Sequence, residues 1–127
     1  MKKLLYVCSN SDLAGAPKHV TNLINLCSED FEIKAIFGGK GEILDYTKFN
    51  NFVLLKNLSS SINFKKDLKA YKQIKNQIKI FNPDIIHMHS FKASLLVRIY
   101  NLFNSLDSTL VYTVHGWPWR GKNIFIK

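Results

Sequence analysis

Asp84-Ile85-Ile86-His87-Met88-His89-Ser90-Phe91-Lys92 follows directly on Pro83 and reads as a short apolar strand ending in a burst of polar groups. Strand side chains alternate faces, so His87 and His89 point one way while Ile86 and Met88 point the other. Two imidazoles on one face, at a strand end and just before a helix, suggest a site rather than a core.

Working outward, the segment before Pro83 is the most clearly amphipathic in the chain. From about Lys66 to Phe81, Leu68, Tyr71, Ile74, Ile78 and Phe81 recur at helical spacing as a buried stripe, with Lys65, Lys69, Lys72, Lys75 and Lys79 around the outside. Pro83 forbids continuation of that helix. After Lys92, Ser94 to Phe103 reads as an apolar helix and Thr109 to His115 as another buried strand.

Nearer the start, Lys3 to Ser9 is a continuous apolar run, the pattern of a parallel strand buried on both faces. Asn10 to Ala16 is a loop, and Pro17 suits the first turn of a helix carrying Val20, Leu23, Ile24 and Cys27. A strand Phe31 to Phe37, closed by Gly38-Gly39-Lys40-Gly41, a short helical piece near Ile43 to Phe49 and a strand Phe52 to Leu55 follow. Asn57 to Asn63 is a Ser-rich loop. Strands alternating with helices imply an α/β fold: a three-layer, Rossmann-like parallel sheet with helices on both faces. In such sheets ligands bind at the carboxyl ends of the strands, near the point where strand order reverses.

At 127 residues, 46% hydrophobic and 21% charged, this is one domain's worth of chain with a core of its own. Its longest apolar runs, Leu4 to Cys8 and Leu95 to Val97, are far too short to span a bilayer, and the start lacks the cleavage pattern of a signal peptide. A cytoplasmic protein with two reduced cysteines, Cys8 and Cys27, is expected. The net charge of +9 points to an acidic partner, yet sixteen of the eighteen basic residues are lysine. Base reading favours the bidentate guanidinium, so nucleic acid is not the expected partner.

The loop Ser11 to His19 feeds a glycine into a helix N-terminus, where backbone N–H groups and the helix dipole suit an anion. With Gly15 alone it is neither the dinucleotide fingerprint nor a P-loop. A turn that needs Gly15 for backbone reasons is the plainer reading. His87 and His89, with His115 at the end of the following strand, leave three readings open. They are zinc ligands, donors to sugar hydroxyls or phosphate, or histidines satisfied by local backbone. No carboxylate near them in sequence supplies a fourth ligand or outer support for a metal. Gly116 permits a turn after His115, and Trp117 and Trp119 offer apolar faces to a sugar or a membrane.

Gly15-Ala16-Pro17, then Pro83-Asp84-Ile85-Ile86-His87-x-His89-Ser90-x-Lys92-Ala93, then Tyr112-Thr113-Val114-His115-Gly116-Trp117-Pro118 resemble the N-terminal domain of family 4 glycosyltransferases, over residues 2 to 119. These are retaining, GT-B-type enzymes of bacterial polysaccharide and glycolipid assembly. The resemblance implies that Gly15, Ala16 and Pro17 cover the donor diphosphate, that His115 assists at the transferred sugar, and that His87, His89, Ser90 and Lys92 line the acceptor side. Residues around Gly38 to Gly41 and Ser59 to Lys66 would border the acceptor pocket. It implies no metal and no cofactor beyond a nucleoside-diphosphate sugar as donor substrate, with a glycan or lipid-linked acceptor.

Where relatives commonly continue Lys-Ala-Gly-x-x-x-Arg, this chain has Lys92-Ala93-Ser94-Leu95-Leu96-Val97-Arg98. The larger departure is the missing C-terminal donor domain, with its basic pair and Glu-x7-Glu motif. The 127 residues are thus expected to be a single domain, inactive alone or dependent on a partner chain. The lysine-studded helix reads first as an ordinary solvated face, with an anionic membrane surface as the alternative partner. Two further readings stand beside the transferase. One is a small metal-dependent hydrolase using His87, His89 and His115, the other a non-catalytic binding module or gene remnant. A receiver domain is set aside, because the acidic pair and phospho-acceptor aspartate it requires are absent.

Overall fold

The computed structural model describes residues 1–114. The sequence reading of His115, Gly116, Trp117 and Trp119 lies outside the described residues. Five strands, β1 (Lys2–Cys8), β2 (Phe31–Gly38), β3 (Phe52–Leu55), β4 (Ile85–Met88) and β5 (Thr109–Tyr112), form one parallel sheet in the order β3-β2-β1-β4-β5. Helices α1 (Gly15–Cys27), α2 (Phe64–Phe81) and α3 (Phe91–Asn104) connect them, with a 3-10 helix at Glu42–Tyr46. The expected α/β, Rossmann-like parallel sheet is the observed one.

β1 occupies the centre because its sequence is apolar on both faces. Leu4, Tyr6 and Cys8 pack with Val20 and Ile24 of α1, whereas Leu5 and Val7 pack with Ile74 and Ile78 of α2 and with Val97 of α3. The sheet thus separates two apolar layers, one under α1 and one under α2 and α3, as three-layer packing requires.

Element boundaries move where local hydrogen bonding overrides periodicity. α3 starts at Phe91 rather than Ser94 because Ser90 is its N-cap, accepting from the Ala93 N–H at 3.2 Å. α2 starts at Phe64, capped by the Asn63 side chain on the Lys66 N–H at 3.1 Å. It stops at Asn82, whose φ of 52° is a left-handed cap, just before Pro83. α1 begins at Gly15, two residues before Pro17, and β5 ends at Tyr112, short of His115.

The stripe of α2 needs one correction. Ala70, Ile74, Ile78 and Phe81 are buried, but Leu68 is 46% exposed. Its turn of the helix overhangs a gap beside α3 instead of the sheet. Among the described residues no helix is long and apolar enough to cross a membrane.

Candidate functional site

The chain runs from β1 outward through β2 to β3, then returns to place β4 on the other side of β1. Strand order therefore reverses between β1 and β4, and the crevice at their carboxyl ends is where a parallel sheet receives ligands. Two of the sequence motifs meet there. The His89 N–H donates to the Val7 carbonyl at 2.9 Å, and the Ser9 N–H donates to Ser90 Oγ at 3.1 Å. Ser90 thus holds the β1 exit and the α3 start together. Ser9 Oγ lies 3.3 Å from Ser60 Oγ, which brings the Ser59–Ser61 loop to the same edge.

His87 and His89 do share a face, as alternation predicts, with ring centroids 4.0 Å apart. His89 is fully buried and His87 half-buried. Tyr6, on the neighbouring strand, lies 5.4 and 5.6 Å from the two rings, and His19 of α1 meets His89 edge-on at 5.7 Å. His87 Nε2 hydrogen-bonds Thr113 Oγ1 at 2.7 Å. His19 is the residue that sequence reasoning passed over. One turn beyond Gly15, its imidazole reaches back over the same crevice. Among the described residues no three of His, Cys, Asp and Glu are grouped to hold a metal ion.

Lys92 is tied into the fold as well as placed at this edge. Only 6% exposed, it donates to the carbonyls of Ser59 (3.3 Å) and Ser61 (2.6 Å) and pairs with Asp67 of α2 at 2.7 Å. Its charge is committed to holding the Ser59–Ser61 loop and α2 in place, beneath a hollow it also helps to line. Asp67, the partner, carried no sequence signal beyond being the one carboxylate on a lysine-rich helix.

The glycines divide into two kinds. At Gly38 a Cβ would lie 2.3 Å from the carbonyl oxygens of both Leu58 and Ser9, so three segments converge there in a way only glycine allows. Ser11 completes that corner: its hydroxyl donates to the Gly38 carbonyl and accepts from the Gly41 N–H at 2.7 Å. Gly15 is the opposite case. It has an ordinary φ, and a Cβ there would meet nothing within 4 Å. Of the two readings of Gly15, the one that requires glycine for its backbone finds no support here.

α1 also differs from the other two α-helices at its N-terminus. Asn63 caps α2 and Ser90 caps α3, while no side chain caps α1 and its first turn holds no acidic residue. Gly15 and Ala16 open the first turn of a thirteen-residue helix, at its positive end, and Pro17 contributes no N–H.

Below the crevice the two cysteines are free thiols, Cys8 buried and Cys27 half-buried. Burial pushes the Cys8 thiol from its ordinary value of 9.0 up to about 11. Burial, and then the neighbouring Cys27, pushes the Tyr6 hydroxyl up as well. Both groups favour folding while protonated, and the unfolded chain releases its protons first as pH rises. Stability should therefore fall from pH 9 toward pH 11, with Cys8 contributing about 3 kcal/mol at most. Urea titrations at pH 8 and pH 10.5 should show the loss, and Cys8→Ala should reduce it.

No curated protein matches the chain. The family model of Glycosyltransferase Family 4 matches residues 13–127, from the loop before Gly15 to the last residue. An edge built from an uncapped helix N-terminus, a histidine pair and a serine-rich loop at the strand reversal is thus carried by a chain that belongs to Glycosyltransferase Family 4.

Proposed function

We propose that this domain is the acceptor-side half of a GT-B-type, retaining glycosyltransferase. It transfers a hexose from a nucleoside-diphosphate sugar to a polysaccharide or lipid-linked acceptor at the cytoplasmic side of the cell envelope. A second Rossmann-like domain, with the basic pair and Glu-x7-Glu motif, completes the cleft and holds most of the donor. The observation that supports this reading most strongly is the Gly15 turn. Among the described residues nothing lies within 4 Å of its Cβ position and no side chain caps the helix, an arrangement that suits a diphosphate.

Negative charge builds on the departing diphosphate as the glycosidic bond to the nucleotide breaks. Pre-oriented N–H donors of Gly15 and Ala16 stabilise that charge without reorganisation. His115, by the family resemblance, hydrogen-bonds the transferred sugar and is not the nucleophile. His87, His89 and Ser90 form the floor on the acceptor side. Lys92 acts one step removed, keeping the Ser59–Ser61 loop against that floor. The donor is a substrate and no resident cofactor is assigned.

The test is sugar transfer by the chain joined with its donor-binding half, using labelled nucleoside-diphosphate sugars. Release of the nucleoside diphosphate together with an acceptor glycoside of the donor's own anomeric configuration is expected. No transfer from any donor, together with stoichiometric zinc in the purified protein, would instead favour a histidine-based hydrolase.

A further inference from the structure

Between α1 and the 3-10 helix lies a hollow of about 430 Å³. Its walls are Lys18, Thr21 and Asn22 of α1, Leu13 of the loop before α1, and Ile43 and Tyr46 of the 3-10 helix. The three α1 side chains stand at i, i+3 and i+4, so they share one helix face. That face lies to one side of Pro17, Val20 and Ile24, the stripe that α1 buries.

The 3-10 helix is anchored where it meets this hollow. Ile43 is buried, its N–H donates to the Ser11 carbonyl at 2.7 Å, and the Gly41 N–H donates to Ser11 Oγ at 2.7 Å. Both bonds tie the helix to the loop that carries Leu13. Tyr46 stands at the end of the helix with 75% of its surface exposed. A ring left this open contributes little to the core, yet its position is set by a short helix held at two points.

The chemistry of the walls narrows the occupant. Leu13, Ile43 and the flat face of Tyr46 offer apolar contact. The exposed Asn22 amide both donates and accepts, and the exposed Lys18 ammonium donates. The Thr21 hydroxyl donates to the Lys18 carbonyl at 2.9 Å and keeps its lone pairs for accepting. Among the described residues no carboxylate lines the hollow, which disfavours a cation. An apolar ring face bordered by donors and acceptors matches a pyranose, whose C–H face stacks on an aromatic ring and whose hydroxyls both donate and accept.

We propose that the hollow between α1 and the 3-10 helix is an accessory carbohydrate site, where one pyranose ring of a glycan stacks on Tyr46 and hydrogen-bonds Lys18, Thr21 and Asn22. It shares no lining residue with the crevice at His87, His89 and Ser90. Sugar binding here is therefore independent of the transferase reading.

The probes are the methyl glycosides of glucose, galactose, mannose, N-acetylglucosamine and rhamnose, each titrated at millimolar concentration into the 15N-labelled chain. At least one should give saturable amide shifts at Leu13, in residues 18–22 and in residues 43–46. For that glycoside Tyr46→Ala should lower the affinity about tenfold and Asn22→Ala about fivefold. The circular dichroism spectrum should stay unchanged, since both side chains are exposed. Tyr46→Phe keeps the ring face and should retain most of the affinity. An absence of shifts with all five glycosides overturns the proposal, as does full affinity in Tyr46→Ala. Shifts centred on His89 and Ser90 would give the sugar to the crevice, and equal or tighter binding of uridine would give the hollow to a nucleobase; either result overturns it. Should every glycoside fail while a nucleoside diphosphate shifts Gly15, the accessory site falls and the transferase reading stands. Failure in the transfer assay with glycoside binding intact reverses that outcome.

Discussion

Gly38→Ala should cost this domain about 4 kcal/mol of stability, a large share of what a domain of this size possesses. The added methyl would lie 2.3 Å from two backbone oxygens, Leu58 O and Ser9 O, on separate segments. Neither can turn aside as a flexible side chain would. Leu58 is itself fully buried, and its carbonyl accepts from the Gly39 N–H at 3.0 Å, so retreat breaks a second contact. Gly15→Ala is the control. With nothing within 4 Å, the methyl should leave stability unchanged or raise it by up to about 0.5 kcal/mol, because alanine favours a helix. In the complete enzyme the same methyl should raise KM for the donor. Urea midpoints of the two variants, measured side by side, check the contrast.

Lys92→Ala should cost about 3 kcal/mol. The variant removes the cation from the Asp67 carboxylate, which keeps only the Asn63 N–H, and leaves the carbonyls of Ser59 and Ser61 without their ammonium donor. Breaking a buried pair by removing one partner costs about 3–5 kcal/mol. The lower end applies here, since the Asp67 side chain is 20% exposed and water partly replaces the lost partner. The double variant Lys92→Met with Asp67→Leu should recover part of the loss, because two apolar groups leave no buried charge unpaired. A double-mutant cycle in urea checks this. Full additivity of the two single losses would show that the ion pair is not what joins α2, α3 and the Ser59–Ser61 loop.

The two effects also mark how far the sequence could be read. The sheet was legible because β1 is apolar on both faces and Pro83 separates a strand from a helix. The alternation of His87 and His89 was legible because a strand has a period of two. Two readings of Gly15 stand side by side in the sequence, because sequence cannot tell a glycine required by its own backbone from one that leaves room for something else. Gly38 was likewise visible only as part of a turn, since its neighbours come from β1 and from the segment after β3. Lys92 and Asp67, 25 residues apart, meet through packing that periodicity does not encode. Leu68 fits the spacing of the stripe, but it lines the open groove between α2 and α3 instead of the core. His19 was hidden by position: its contact with His89 exists only once α1 has folded back over the sheet.

The Gly15 turn carries the functional reading, so it is also where the reading is most exposed. Titration of a nucleoside diphosphate into the 15N-labelled chain, read as backbone amide shifts, tests it directly. The Gly15 and Ala16 amides should move first and furthest, with smaller shifts at His89 and Ser90 across the crevice. Shifts confined to the lysines of α2, with Gly15 and Ala16 unmoved at saturation, would contradict a diphosphate site at the strand reversal.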